Sequence, residues 1–321
     1  LREREGDAVI VTESQLHHLI NLLAAVTLLE MMVSIGLGVT FADLIGVARN
    51  GRLLGMAALA NYVCVPAAAV GLLLLFHADA LVAAGFLIPA VCPGAPYGPP
   101  FTGMARGNVA RAVGLMTILA GSSALVAPLL LHLLLPLTAG DEEVRIDVVK
   151  MVGTLFIAQL LPLCIGLAIR QWRPALAERL RKPANLLSLA LNLVTLGVIL
   201  GVQWEMLLGI PIRAYLGMLA LILLSVAAGW LLGGPGSDNR TAMTMATAVR
   251  NVGVGLVIAT GSFPGTKAVT ATTAFAIFQT IVMALVALAW GRLLAAPTGA
   301  TRIEGPVTEG VLPGQPCERG R

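Results

Sequence analysis

The sequence predicts an all-α polytopic membrane protein of about nine transmembrane helices, and three observations predict it. Hydrophobic residues make up 57% of the 321 residues and charged residues only 12%, against roughly 25% charged in a soluble domain. The apolar residues fall in long runs, each close to the ~20 residues that cross a bilayer as a helix. The short connections between the runs hold the Gly, Pro and charge that the runs lack. A soluble chain of this length could not hide so much apolar surface in one core, so the lipid bilayer is an expected partner.

Taken in order, the runs place spans at roughly 17–39, 53–76, 80–106, 108–136, 147–170, 184–203, 207–232, 239–263 and 268–295. Residues 1–16 are expected as an extracytoplasmic N-terminal segment and 17–295 as the transmembrane domain. Residues 296–321, rich in Gly and Pro, read as a disordered cytoplasmic tail. Orientation follows from the basic residues. Alternate connections carry Arg49 and Arg52, then Arg106 and Arg111, then the run from Arg170 to Lys182, then Arg240, then Arg292 and Arg302. By the positive-inside rule these face the cytoplasm of a cell (inner) membrane, with the N-terminus outside. Trp172, Trp204, Trp230 and Trp290 fall at helix ends, where an interfacial belt would hold them.

The same composition excludes other classes. The net charge of +4 is spread between apolar runs and aromatics are scarce, so no nucleic-acid partner is expected. Cys64, Cys92, Cys164 and Cys317 lie far apart, without the spacing of a zinc site or a disulfide framework. No phosphate-binding loop, metalloprotease helix or nucleophile elbow is present, so no enzyme activity and no cofactor is expected.

Two spans are not ordinary helices. The third, IPAVCPGAPYGPPFTG, crowds Pro89, Pro93, Pro96, Pro99 and Pro100 around Gly94 and Gly98. Each proline in a helix interior costs about 3 kcal/mol. The eighth, MATAVRNVGVGLV, is interrupted by Arg250 and Asn251, followed by Gly253 and Gly255. Irregular backbone at bilayer depth is tolerated only inside protein or along a wet cavity. The breaks fall second from the end of two halves of opposite topology, so inverted repeats are expected. Broken helices at matching positions of inverted halves point to a transporter binding site. They are expected to cross near Pro96–Gly98 and Arg250–Asn251.

At these residues the sequence resembles the bile acid:sodium symporter family. CPGAPYGPPFTGMARGN is similar to that family's Cys-Pro-Gly-Gly stretch with its following Ser-Asn pair and Ala-X-Gly-Asn. RNVGVGLVIATGSF resembles its Gln-Asn-Ser-Gly-Leu-Ala stretch, and NYVCVP (61–66) its Gln-Phe-X-X-Met-Pro stretch. The resemblance implies a core domain with two crossing broken helices that moves against a panel domain. It also marks departures. The family's sodium ligands fall on Gly98, Pro99, Ala112, Met116, Ala246, Arg250 and Asn61, and among these and the neighbouring Asn251 only the two Asn keep a side-chain carbonyl. Hard cations need several oxygen ligands, so no sodium is expected at these positions.

Arg250 is the sharpest feature. An Arg at the centre of a spanning helix costs roughly 2.5–3.5 kcal/mol and must face a partner or a cavity. Glu30, in TLLEMMVSIGLG, is the one acid deep in an apolar run, and is a candidate partner for Arg250 or a proton-carrying group. Arg250, Asn251, Asn61, Tyr97, Gly98 and Glu30 are the candidate substrate-binding residues, with no metal site. Gln159, Asn192, Gln203 and Gln279 are expected to bond between helices. The functional expectation is a secondary transporter that moves a small organic anion by alternating access. The rival readings are an arsenite-type metalloid efflux permease using Cys92, and a membrane ligand sensor that moves nothing.

Overall fold

The computed structural model describes residues 13–138 and 146–293. The regular elements among them are all helical. The chain opens with α1 (Glu13–Leu37) and the short α2 (Phe41–Ala48). α3 (Gly51–Leu59) and α4 (Val65–Phe76) form one rod through a π-helical turn at Ala60–Cys64. α5 (Ala80–Ala90) and α6 (Gly98–Met104) are the two pieces of the third span, and α7 (Val109–Thr138) is the fourth. α8 (Val148–Leu155) and α9 (Leu161–Trp172) form another rod through a π-helical turn at Phe156–Leu160. α10 (Pro174–Val202), α11 (Trp204–Leu208) and α12 (Ile212–Leu232) follow. α13 (Ser237–Ala248) and α14 (Val252–Ser262) are the pieces of the eighth span, and α15 (Lys267–Leu293) is the ninth. Among the described residues eight segments are long and apolar enough to cross a membrane, and Ala80–Ala90 is a further, shorter apolar helix. The expected N-terminal segment and tail lie mostly outside the described residues.

Three local features depart from the expected pattern. α10 begins at Pro174, ten residues before the expected start at 184. Pro174 sits in the first turn, where its missing N–H has no helical partner to lose, and the following Ala, Leu, Glu and Arg are strong helix formers. The expected basic loop is therefore a helical extension. The second feature is α2, in what read as a connection. Thr40 caps it: its hydroxyl accepts from Asp43 N, and the Asp43 carboxylate accepts from Thr40 N. Val47 is buried against Gly114 of α7. Thr40→Ala is expected to lower stability by about 1 kcal/mol, read as a drop in melting temperature of the purified protein. An unchanged melting temperature would mean that Val47 alone seats the helix.

The third feature is the pair of π-helical turns, which precede Pro66 and Pro162. A proline ring clashes with the carbonyl four residues back, and widening the turn relieves the clash. Each turn aims an amide inward, Asn61 in one and Gln159 in the other, both fully buried. Gln159 bonds to the Ala120 carbonyl and, at 2.8 Å, to Ser123 Oγ.

α1 packs on α9 and α10. At the α1–α9 contact a Cβ on Gly36 would lie 2.5 Å from the Leu163 carbonyl oxygen, and one on Gly166 2.4 Å from that of Val33. The two backbones touch, as small residues allow between membrane helices. Along α10, α1 presents a polar seam. Thr27 and Thr195 hydroxyls are 2.7 Å apart, Ser34 Oγ donates to Asn185 Oδ1 at 2.6 Å, and Asn192 Nδ2 reaches Met31 Sδ at 3.7 Å. Elsewhere α12 packs on α13, and α15 on α5. The most apolar stretch of Ser237–Ser262 is buried along its whole length, so the broken eighth span is wrapped by protein and not by lipid.

Candidate substrate site at two broken helices

α5 ends at Ala90 and α6 starts at Gly98, leaving 91–97 non-helical. The proline cluster explains this directly, since Pro93 and Pro96 can donate no helical hydrogen bond. Gly94 turns the chain at φ +85°, and a Cβ there would lie 2.3 Å from the Ala120 backbone nitrogen. Only glycine fits both demands. In the eighth span Val249 and Asn251 are extended, with ψ of 110° and 94°. The Asn251 side chain then accepts from Val254 N at 3.2 Å and caps α14.

The two breaks meet. Asn251 N donates to the Cys92 carbonyl at 2.8 Å, and Asn251 Nδ2 to the Gly94 carbonyl at 3.0 Å. The crossing thus lies at Cys92–Gly94, a few residues before the Pro96–Gly98 expected from the proline cluster. The prolines set the length of the break, while the glycine sets where another chain can approach. From α15, Gln279 clamps the second break: its Oε1 accepts from Arg250 N at 2.9 Å and its Nε2 donates to the Arg250 carbonyl at 3.2 Å. This fulfils the expected interhelical role of Gln279, though the sequence did not reveal that its partner would be backbone.

The Arg250 side chain is 1% exposed. Its Nη1 donates to Asn61 Oδ1 at 3.1 Å, and Asn61 Nδ2 donates to the Ala57 carbonyl and to Thr247 Oγ1. Tyr62 and Cys92 lie within electrostatic range of the guanidinium. Arg250 Nε and Nη2 are buried with no hydrogen-bond partner, and among the described residues no carboxylate pairs with them. Buried polar groups are nearly always satisfied, so two orphaned donors on one charged group mark a place where a ligand or water belongs.

Of the other candidate residues, Asn61 bonds to Arg250, while Asn251, next to it in the chain, bonds instead to Cys92 and Gly94 at the crossing. Gly98 and Tyr97 lie at the far end of the first break. Tyr97 Oη is buried without a partner. The Met116 side chain fills the space beside Gly98, its Cε 1.5 Å from where a Cβ would sit. Met116 belongs to an apolar cluster with Leu115, Leu119, Met243 and Ala246. Glu30 stands apart on α1, where Ser188 Oγ of α10 donates to it. Arg250 and Glu30 are therefore bonded to different partners and do not form the ion pair considered from the sequence.

Around the crossing the side-chain oxygens of Asn61, Asn251 and Gln279 all accept hydrogen bonds already, as do the carbonyls of Cys92 and Gly94. Among the described residues no group of three or more His, Cys, Asp or Glu could hold a metal ion. A cavity of about 490 Å³ lies elsewhere, among Leu72, Phe76, Phe86, Arg213 and Lys267, and does not reach Arg250.

Comparison with known proteins agrees with this architecture. A rice protein (Oryza sativa subsp. japonica) described as "Probable sodium/metabolite cotransporter BASS2, chloroplastic" is 28% identical over 150 residues, covering 47% of this chain and 35% of that protein's length. A Bacillus subtilis (strain 168) protein described as "Uncharacterized sodium-dependent transporter YocS" is 23% identical over 277 residues, 83% of each chain. The family model described as "Sodium Bile acid symporter family" matches residues 25–210. That stretch covers more than half of the chain and includes the first broken helix and the Asn61 turn, and the chain belongs to the sodium bile acid symporter family, a family of membrane transporters and not of enzymes.

Proposed function

We propose that this protein carries a small organic anion across a cell membrane by alternating access, with Arg250 as the fixed positive charge at the substrate site. The observation that carries the reading is the buried guanidinium where two broken helices meet, with Nε and Nη2 free. Arg stays charged in proteins and offers donors in a planar fork that matches a carboxylate or sulfonate. The N-terminus of α14 begins one residue beyond the Asn251 cap and adds a partial positive charge. By the positive-inside rule, the basic connections support an N-terminus outside and a C-terminus in the cytoplasm. α1, α9 and α10 pack together and meet the crossing through α1 against α14. They form the panel, and the helices around the two breaks form the core that moves against it. Arg250 is closed off in this arrangement, so opening it to either side needs such a movement.

No sodium ion joins the anion at the crossing. A cation of that kind needs about six oxygen ligands. The side-chain oxygens nearest the breaks, on Asn61, Asn251 and Gln279, each accept a hydrogen bond already, and the thioether of Met116 packs where a side chain on residue 98 would stand. Arg250 supplies the positive charge instead.

Uptake of radiolabelled taurocholate and of small sulfonates into proteoliposomes tests both statements. Uptake is expected, and replacing sodium by potassium on both sides should leave its rate unchanged within about twofold, less than 0.5 kcal/mol. A steep dependence on a sodium gradient that Asn61→Ala abolishes would refute the sodium-free site.

A further inference from the structure

Arg250 and Glu30 are the two charged residues deep in the apolar spans, one on each side of the contact between α1 and the crossing. Met31 Sδ and Leu28 Cδ1, next to Glu30 on α1, lie 3.1 and 3.5 Å from where a Cβ on Gly253 would stand, in the first turn after the Arg250 break. Glu30 is half-buried, and its one hydrogen bond comes from the neutral Ser188 Oγ. No Lys, Arg or His lies within ion-pair distance of it among the described residues. A carboxylate at membrane depth with no cationic partner is costly, and binding a proton removes that cost.

None of the groups that face Glu30 is a cation that could neutralise it. Ser188 comes from α10, with Asn185 and Asn192 about a turn to either side in the same neutral seam. The phenol of Tyr97, buried and without a partner at the first break, lies within electrostatic range of the Glu30 carboxylate. α14 and the turn Phe156–Leu160 contain no titratable residue. The titratable groups of α9 are Cys164, exposed, and Arg170, which is paired with Glu178 at 2.9 Å. On α10 the charged residues lie toward its N-terminal end. Arg181 approaches Gly38, about two turns of α1 from Glu30. On α1 itself His18 lies about three turns away.

We propose that Glu30 is the coupling-ion site, binding one proton for each anion carried. This rests on the transporter reading above and adds the coupling ion to it. In the empty carrier the negative Glu30 and the positive Arg250 sum to zero. A bound monoanion leaves one uncompensated negative charge in the membrane, and protonation of Glu30 cancels it. The proton enters from the side where substrate binds and leaves on the side where substrate leaves, with no covalent change. Moving an uncompensated charge through the low-dielectric interior is strongly disfavoured. The two neutral forms, empty with ionised Glu30 and loaded with protonated Glu30, are therefore the ones that reorient. That rule alone enforces symport of one proton with one monoanion.

Gln at position 30 mimics the protonated residue permanently. Glu30→Gln leaves the loaded carrier neutral and the empty carrier with one uncompensated positive charge. The variant should still exchange labelled for unlabelled substrate across the membrane, more slowly, and should lose net accumulation driven by a pH gradient. Taurocholate and isethionate are the probes, because a sulfonate stays ionised and cannot cross the lipid as a neutral acid. With acid outside and no sodium, wild-type proteoliposomes should accumulate probe severalfold over equilibrium, and the Glu30→Gln variant should not. Infrared difference spectra of the lipid-reconstituted protein between mildly acidic and alkaline buffer, without substrate, should show a protonated-carboxyl band that the variant lacks. The inference is overturned if the variant accumulates probe like the wild type, or if no carboxyl band depends on Glu30. If the band is present but the wild type exchanges neither probe, the anion-carrier reading fails for these sulfonates while the proton site stands.

Discussion

Arg250→Gln is expected to weaken anion binding by about 100-fold or more while the purified protein stays folded. The magnitude follows from losing a desolvated, charge-assisted contact, which costs about 2–5 kcal/mol, with 1.4 kcal/mol for each factor of ten. The fold survives for three reasons. The crossing is fastened by the Asn251 bonds to Cys92 and Gly94, and the Gln279 clamp holds the backbone of residue 250. A Gln amide can still donate toward Asn61 Oδ1. Removing a buried charge with two unpartnered donors also relieves a desolvation cost. Sodium dependence should not appear, because Gly98, Pro99, Ala112, Met116 and Ala246 still offer no side-chain oxygen. The measurement is equilibrium binding of radiolabelled taurocholate and isethionate to the purified variant, with its melting temperature taken in the same preparation. Binding equal to that of the wild type would make Arg250 a structural residue.

Gly94→Ala is expected to be the most destabilising of the single substitutions considered. The new Cβ would stand 2.3 Å from the Ala120 nitrogen and 2.6 Å from its Cα. These are backbone atoms of α7, and no change of rotamer moves them. A non-glycine residue at φ +85° adds strain of about 1–3 kcal/mol, and overpacking adds a further 1–3 kcal/mol. The strand of chain that accepts the Asn251 amide would shift with it. A loss of roughly 2–6 kcal/mol would leave little monodisperse protein on size-exclusion chromatography. Gly71→Ala is the control, since a Cβ at Gly71 in α4 meets nothing within 4 Å and should be neutral or slightly stabilising. Equal behaviour of the two variants would show that the break is looser than its geometry implies.

The parts of this structure that rest on bulk patterning were legible in the sequence. Long apolar runs place helices because lipid leaves backbone groups no other partner, and five prolines near two glycines cannot hide in a continuous helix. Asn61, Asn251 and Arg250 stood out as polar groups where polarity is expensive, and the structure bonds Asn61 to Arg250 and Asn251 to the first break. Other features depend on what meets what in space. The resemblance sets Gly94 and Gly98 apart by motif but not by contact: one faces the Ala120 backbone and the other the tip of Met116. Gln279 read as one of several interhelical amides, and its partner is the main chain of a residue 29 positions away. Pro174 read as a loop residue, because a proline at the first turn of a helix and one that breaks it are the same letter, and Pro183, which lies inside α10, read the same way.

The Gln279 clamp separates the joint from its cargo. The amide grips the N–H and the carbonyl of residue 250, groups common to every amino acid but proline, and ignores the side chain between them. Exchanges at position 250 therefore leave the hinge fastened. The charge there can be removed, as in Arg250→Gln, while the clamp on the main chain persists. On the reading proposed above, position 250 is a socket for the charge that meets the anion, and Gln279 is the residue that holds the socket whatever side chain fills it.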